Sequence, residues 1–299
     1  MKKLLPVLLC AAMLLCLLPL EARAAAAAWD GMVDISWYDP AQTEYTIDTP
    51  AKLAGLAALV NGMADPAAKA IVGDRSYLVS KKVDNVMLLG AGGGNVFDTV
   101  YTGGVDFAYK TIYLTADLDM GGRKAADGSW TGPNWTPIGG KFPMKPQEAS
   151  GDCLTLDTRF NGVLDGQGHT IYNLYCDRCA AKGFPYSMAV GVVGFLGGNA
   201  DYANGGNGEK TEAEFKNGWQ PAVRNLVLGS GSIYGRRMVG GIVGRVGETS
   251  NGVVIENCGN RADVRNTDSK GVGGICGSAW GAGTIRGCYN TGTISTTYT

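Results

Sequence analysis

Gly241-Ile242-Val243-Gly244, followed by Ile255-Glu256-Asn257-Cys258 and Ala262-Asp263-Val264, is the stretch on which the fold turns, because each piece recurs. The first stands 50 residues earlier as Gly191-Val192-Val193-Gly194 and 33 residues later as Gly274-Ile275-Cys276-Gly277. The second belongs to a series that begins with Ile171-Tyr172-Asn173-Leu174 and Val223-Arg224-Asn225-Leu226 and ends with Ile285-Arg286-Gly287-Cys288, at intervals of 52, 32 and 30 residues. The third returns as Gly292-Thr293-Ile294-Ser295. The two main series keep step, and the longer first interval matches a polar, glycine-rich stretch at 199–220 that reads as a loop inserted into one repeat.

A period of about 30 residues with three short strand-like pieces between Gly, Asn and Asp turns predicts a solenoid, since no single repeat can bury its apolar face alone. Glycine runs and β-branched residues disfavour helical repeats. The expected fold is therefore all-β, a parallel β-helix of triangular coils stacked about 4.8 Å apart, with Ile, Val, Leu and Cys directed inward. Leu174, Leu226, Cys258 and Cys288 hold corresponding places in the series, which predicts an interior ladder in which Cys258 and Cys288 are free, buried thiols. Parallel side chains on neighbouring coils make poor disulfide geometry.

Composition agrees. The chain has 46 glycines in 299 residues, a surplus that tight corners and close backbone approach would absorb. Glycine without a period of three, alongside 11 prolines, excludes collagen. With 26 Lys+Arg against 27 Asp+Glu the formal net charge is −1, which argues against a nucleic-acid partner. Charged residues at 18% and hydrophobic residues at 45% exclude both a disordered chain and a polytopic membrane protein.

Residues 1–24 read as a secretory signal peptide: Lys2 and Lys3 precede an apolar run from Leu4 to Leu20, and small residues follow from Ala22. The alanine tract favours cleavage over a retained anchor, and the expected destination is secreted or extracellular, with cell-surface association. Residues 25–159 form an N-terminal cap region. There Thr49-Pro50 starts a helix carrying Leu53, Leu56, Ala57 and Val60 on one face, and Asn61-Gly62 stops it. A helix this short is marginal alone and reads as a cap on the open end of the solenoid. Thr111–Thr115 alternates as a strand, and Tyr77–Val79 and Val86–Leu89 are strand candidates around the glycine run 91–94, which reads as a surface loop. Residues 160–299 hold the repeats.

The glycine-aliphatic-x-glycine blocks at Gly191, Gly241 and Gly274, with Ile255-Glu256-Asn257-Cys258 and Cys288-Tyr289-Asn290-Thr291-Gly292, resemble the GLUG-motif repeats of bacterial surface and secreted proteins. The segment from Phe160 to Ile171 is similar to the one that commonly opens such arrays. The resemblance implies a right-handed parallel β-helix in exported, adhesin-like proteins, with no shared catalytic residues. The array departs from a clean one at the 199–220 insert, and the last strand, Thr293-Ile294-Ser295, has no visible cap after it.

The rival reading is a carbohydrate-active β-helix enzyme, a polysaccharide lyase or glycoside hydrolase, which needs convergent carboxylates. Asn266-Thr267-Asp268 matches one short polygalacturonase-like triplet, but its companions are missing, so Asp268 reads as a solvated corner. Asp165 reads as a turn residue, and His169, the single histidine, as a turn side chain rather than a general base. Asp117 and Asp119 lack the further carboxylates of a calcium loop, and Cys176-x-x-Cys179 lacks partners for zinc. No catalytic residue, metal or cofactor is expected. Among Trp130, Trp135, Trp219 and Trp280, the candidate contact residue is Trp219, expected to be exposed on the insert, for a surface glycan or protein of host or bacterial origin. The expected function is a non-enzymatic exported repeat protein for adhesion, ligand binding or spacing.

Overall fold

The computed structural model describes residues 27–65, 70–71, 87–88, 95–96, 104–143, 154–178, 188–198, 201–204, 213–268 and 270–297. Residues 1–24, expected to be a signal peptide, and Cys153, Cys179, Tyr77–Val79 and the glycine run 91–94 lie outside them. Among the described residues the protein is mostly β, with a single helix, Pro50–Val60.

Four sheets are wholly parallel. The first runs Glu44–Ile47, Thr111–Leu114, Val163–Asp165, Ala222–Arg224, Val253–Glu256, Gly283–Arg286. The second runs Leu118–Asp119, Thr170–Tyr172, Val227–Leu228, Gly259–Asn260, Tyr289–Asn290. The third holds Leu174–Asp177, Gly231–Gly235, Asp263–Asn266 and Ile294–Thr296, and the fourth Val193–Leu196, Val243–Val246 and Cys276–Ala279. A fifth stacks Met188–Val190, Arg237–Gly240 and Val272–Gly273 in parallel and is extended antiparallel by Gly140–Pro143, Leu154–Thr158 and Asp201–Asn204. From Met188 onward the chain visits the fifth, fourth, first, second and third sheets in that order and repeats the circuit, apart from one return to the fifth sheet at Asp201–Asn204 in the insert. Parallel neighbours in this part of the chain are therefore one repeat apart.

The 50- and 33-residue intervals of the glycine motif are literal register: Val193 pairs with Val243, and Val243 with Cys276. The last two intervals of the second motif also hold, Val223 facing Ile255 and Ile255 facing Ile285. The first does not. Val223 faces Leu164, while Ile171 sits between Leu118 and Leu228, and Leu174 faces Gly231. The reason is that aliphatic-x-Asn-aliphatic marks a kind of corner rather than one particular corner. Asn173, Asn225 and Asn257 all adopt left-handed backbone, with φ of 56°, 53° and 51°, and Gly287 takes the same place at 62°. Asn173 turns the chain from the second sheet to the third, whereas Asn225 and Asn257 turn it from the first to the second. A second difference is that each repeat has five short strands, not three, because glycine pairs such as Gly240-Gly241 break one extended piece into two.

Inward residues form continuous columns. In the first sheet Tyr45, Ile112, Leu164, Val223 and Ile255 are 0–5% exposed and each contacts the next in register. Full burial of one such aliphatic stabilises by about 1.5–3 kcal/mol. This column begins at Glu44–Ile47, so the ladder runs unbroken across residue 160.

Thr49 caps the helix as its position implies, its hydroxyl accepting from Lys52 N at 3.3 Å, and Gly62 follows the stop with φ 65°. The helix is buried on nearly every side rather than on one face. The aperiodic tract 29–45 covers its other side: Asp34 N donates to Ala51 O, and Trp37 Nε1 donates to Asp34 O. Trp37, Tyr38 and Tyr45 pack around Phe107, with ring centroids 5.3–6.4 Å apart across the group. The buried Asn61 ties the helix end to the sheets, donating to Pro137 O and accepting from the Thr158 hydroxyl. Described parts of the 199–220 insert join the fold: Asp201–Asn204 pairs into the fifth sheet and Ala213 bridges to Thr249.

Candidate functional site

Side chains able to do acid-base chemistry are each held within the corners of the stack. His169 opens Thr170–Tyr172, and its Nδ1 lies 3.0 Å from Oδ1 of Asp117, which opens the neighbouring strand Leu118–Asp119. The same oxygen accepts from Thr170 N. Asp119 is committed elsewhere, accepting from Gly121 N and Asn173 Nδ2, so the two aspartates do not face a common point. No group of three or more His, Cys, Asp or Glu suited to a metal occurs among the described residues.

Asp165 is only 3% exposed. Its carboxylate accepts from Arg224 Nε at 2.8 Å, Asn225 Nδ2 at 3.0 Å and Gln167 N at 3.0 Å. Burial pushes its pKa up, but the Asn225 amide, the Gln167 N–H and the Arg224 guanidinium outweigh burial and hold it below 3.8. A depressed pKa means stability that is present above the ordinary value and lost as pH falls through the native one. The expected result is that Asp165→Asn flattens the acid limb of a stability-versus-pH curve below about pH 4. Urea titrations at pH 3 and pH 6 check it, and an unchanged difference between the two would contradict the assignment.

Asp268 follows the strand Asp263–Asn266 and pairs with Arg237 Nε at 2.6 Å and Arg236 Nε at 3.4 Å. It is an ion-paired corner that the buried Asn266 also binds, donating to its backbone carbonyl. The sequence alone placed it as solvated; its side chain is 13% exposed.

Trp219 is half-buried rather than exposed. Its indole N–H donates to Asn161 O at 2.8 Å, its ring lies 5.5 Å from Tyr109, and its carbonyl accepts from Asn251. Trp135 is buried, packed edge-on against Trp29 at 6.0 Å. Among the described residues the exposed aromatics are Trp280, Tyr289, Tyr172 and Tyr109.

Exposed apolar groups concentrate at one end of the stack. Ile285, Trp280, Tyr289 and Ile294 are 51%, 51%, 41% and 37% exposed, and all lie on or beside the last strands of the sheets. Two polar columns reach the same end and escaped the sequence reading. On the outside, Asp165, Arg224, Glu256 and Arg286 stand in register, alternating in sign. Inside, the aliphatic column Leu118, Ile171, Leu228 changes to Asn260 and Asn290. Asn260 is fully buried, brackets Ala262 by accepting from its N–H and donating to its carbonyl, and donates to Asn290 Oδ1 at 2.7 Å. The identical spacing of Asn-x-Ala262 and Asn-x-Gly292 was the available clue.

Cys258, Cys276 and Cys288 are free thiols. Cys258 is fully buried, with burial pushing its pKa to about 12, and burial pushes Cys276 to about 11. Cys288, expected to be buried, is half-buried. A raised thiol pKa contributes stability below the unfolded value near 9 and loses it above. Stability is therefore expected to decline from about pH 9 upward, and Cys258→Ala is expected to remove part of that decline. Ellman's reagent at pH 8 should spare Cys258 in the native protein and modify it in denaturant; fast native labelling would contradict its burial.

A family model described as the GLUG motif matches residues 268–295, the segment that supplies those exposed last strands. Halomucin of Haloquadratum walsbyi is 32% identical over 142 residues, 44% of this chain, and the match covers 1% of halomucin's own length. No solved structure matches. Among the described residues no helix is long and apolar enough to cross a membrane.

Proposed function

We propose that this chain is an exported, non-catalytic repeat protein of the cell surface or extracellular space, wound as a right-handed parallel β-helix that serves as an adhesive or spacing scaffold. The observation that carries the reading is the repeated circuit through five sheets, in which the parallel neighbours from Met188 onward stand one repeat apart. Such a fold builds length and outward surface by repetition. The leader-like residues 1–24, the GLUG match and the similarity to halomucin support an extracellular repeat protein.

The non-catalytic part rests on how His169, Asp165 and Asp268 are used. Each is bound into its own corner by different partners, and Asp268 lies in a later repeat. The test incubates purified protein with pectin, other polysaccharides and peptides; no turnover is expected. Turnover lost in His169→Ala or Asp268→Ala would replace the reading with an enzyme. A glycan array then separates adhesion from spacing. Trp219→Ala is expected to destabilise the 213–220 segment, because it removes the bond to Asn161. A loss of glycan binding with unchanged folding would instead place Trp219 in the contact surface.

A further inference from the structure

We infer that Asn217-Gly218 is a site at which the folded protein modifies itself, turning Asn217 into aspartate and isoaspartate and thereby loosening the seat of Trp219. The inference goes beyond the scaffold reading and does not depend on it.

The chain carries six Asn-Gly pairs, and four of them lie wholly among the described residues: Asn61-Gly62, Asn161-Gly162, Asn217-Gly218 and Asn251-Gly252. Such a pair is open to ring closure because glycine has no side chain to shield its backbone nitrogen, provided that this nitrogen is free and the asparagine amide can turn toward it. Three of the four pairs fail that condition. Asn61 and Asn161 are 1% and 3% exposed, and their amides donate to Pro137 O and Gly198 O. Asn251 spends its amide on Phe215 O and Trp219 O. The nitrogens of Gly62 and Gly252 are also taken, donating to Leu59 O and Thr249 O.

Asn217-Gly218 meets it. Both residues are exposed, at φ 55° and 69°, and Trp219 N closes the turn by donating to Lys216 O at 3.1 Å. Two successive left-handed residues make the tight turn that selects Asn-Gly. With the closure made by Trp219 N, neither Gly218 N nor the Asn217 amide has a hydrogen bond to any described residue. The flanks are held: Lys216 N donates to the Tyr109 hydroxyl, and Asn251 bridges Phe215 O and Trp219 O. The apex is thus free while its ends are fixed.

The reaction needs only water. Gly218 N bonds to Asn217 Cγ, the Cγ–Nδ2 bond breaks, and Nδ2 leaves as ammonia with the Gly218 amide proton. Water then opens the cyclic imide. Attack at Cγ gives aspartate; attack at the main-chain carbonyl gives isoaspartate, whose backbone runs through Cβ and Cγ and is longer by one atom. The longer backbone no longer fits the closure between Trp219 N and Lys216 O, which leads the chain into the bond from the Trp219 indole to Asn161 O.

The test ages the full folded chain in mildly alkaline buffer beside a sample held unfolded in guanidinium chloride, and follows each Asn-Gly peptide by mass spectrometry. In the folded chain Asn217 is expected to gain about 1 Da, OH replacing NH2, at nearly its rate in the unfolded sample. Asn61, Asn161 and Asn251 must first open locally, so each is expected to convert at least about tenfold more slowly folded than unfolded. Electron-transfer fragmentation is expected to find isoaspartate among the products. Asn217→Gly keeps a pair suited to the turn and removes the amide, so its peptide should gain no mass. Acrylamide quenching of tryptophan fluorescence is expected to rise as the unaltered chain ages and to stay level in Asn217→Gly. The mass readout is taken on the unaltered protein, so a folding defect in the variant does not blur it. An Asn217 that converts no faster in the folded chain than Asn251 would overturn the inference. Conversion with unchanged quenching would overturn its link to Trp219. None of these readouts involves turnover or glycan binding, so this site and the scaffold reading fail separately.

Discussion

Gly244→Ala is expected to cost about 3 kcal/mol or more, at the upper end of what one added methyl group does in a packed interior. A Cβ at this position would lie 2.3 Å from Val190 N, 2.5 Å from Ala189 C and 2.8 Å from Gly194 O. All three are backbone atoms, so no side-chain rotation relieves the overlap. The same approach recurs one repeat away in each direction, where a Cβ at Gly194 would meet Gly139 O at 2.2 Å and one at Gly277 would meet Val239 N at 2.5 Å. The second glycine of the repeated block is therefore the place where the fourth and fifth sheets touch through their backbones. Urea unfolding followed by circular dichroism measures the loss. Gly128→Ala is the comparison, because Gly128 has φ 86° but open space around it, and should lose only about 1–2 kcal/mol from backbone strain. Equal losses at the two positions would mean that conformation, not contact, fixes the motif. Against an ordinary total of about 5–15 kcal/mol, the Gly244 change alone removes a large share of stability.

Ile255→Ala is expected to cost about 3 kcal/mol, and Ile285→Ala under about 1 kcal/mol, although the two residues face one another in the same column. Ile255 is fully buried between Val223 and Ile285, so truncation leaves a cavity that backbone-paired neighbours on both sides cannot close. Ile285 is 51% exposed and loses little area. The same unfolding experiment reads both. If Ile285→Ala proves as costly as Ile255→Ala, the end of the stack is covered in solution, by a second copy if the loss depends on protein concentration.

The repeats were legible because they are built from residues with one geometric job. Gly194, Gly244 and Gly277 are required by backbone contact, and the spacing between them is the register itself. Val223, Ile255 and Ile285 were legible for the same reason. Ile171 was misplaced because a left-handed Asn corner looks alike wherever it occurs, and only pairing across repeats says which corner it turns. The helix was readable from Thr49, Pro50 and Gly62, yet its burial on nearly every side depended on a tract, 29–45, whose contacts follow no period. The candidate site was less legible. Trp219 looked like a free aromatic because neither Asn161 O nor Tyr109 is near it in sequence. The alternating charges at Asp165, Arg224, Glu256 and Arg286 are separated by 59, 32 and 30 residues and become a column only once the strands are stacked.

The two polar columns answer differently to ionic strength. In brine the outer pairs, Asp165 with Arg224 and Glu256 with Arg286, are screened to the extent that water reaches them, and Arg286 most of all. The Asn260 contact to Asn290 carries no net charge and starts from a fully buried amide, so added electrolyte leaves it nearly untouched. Alignment of successive strands is thus held by an uncharged contact anchored on a buried amide, and a stack of this design keeps its phasing in a saline medium that erodes its surface attractions.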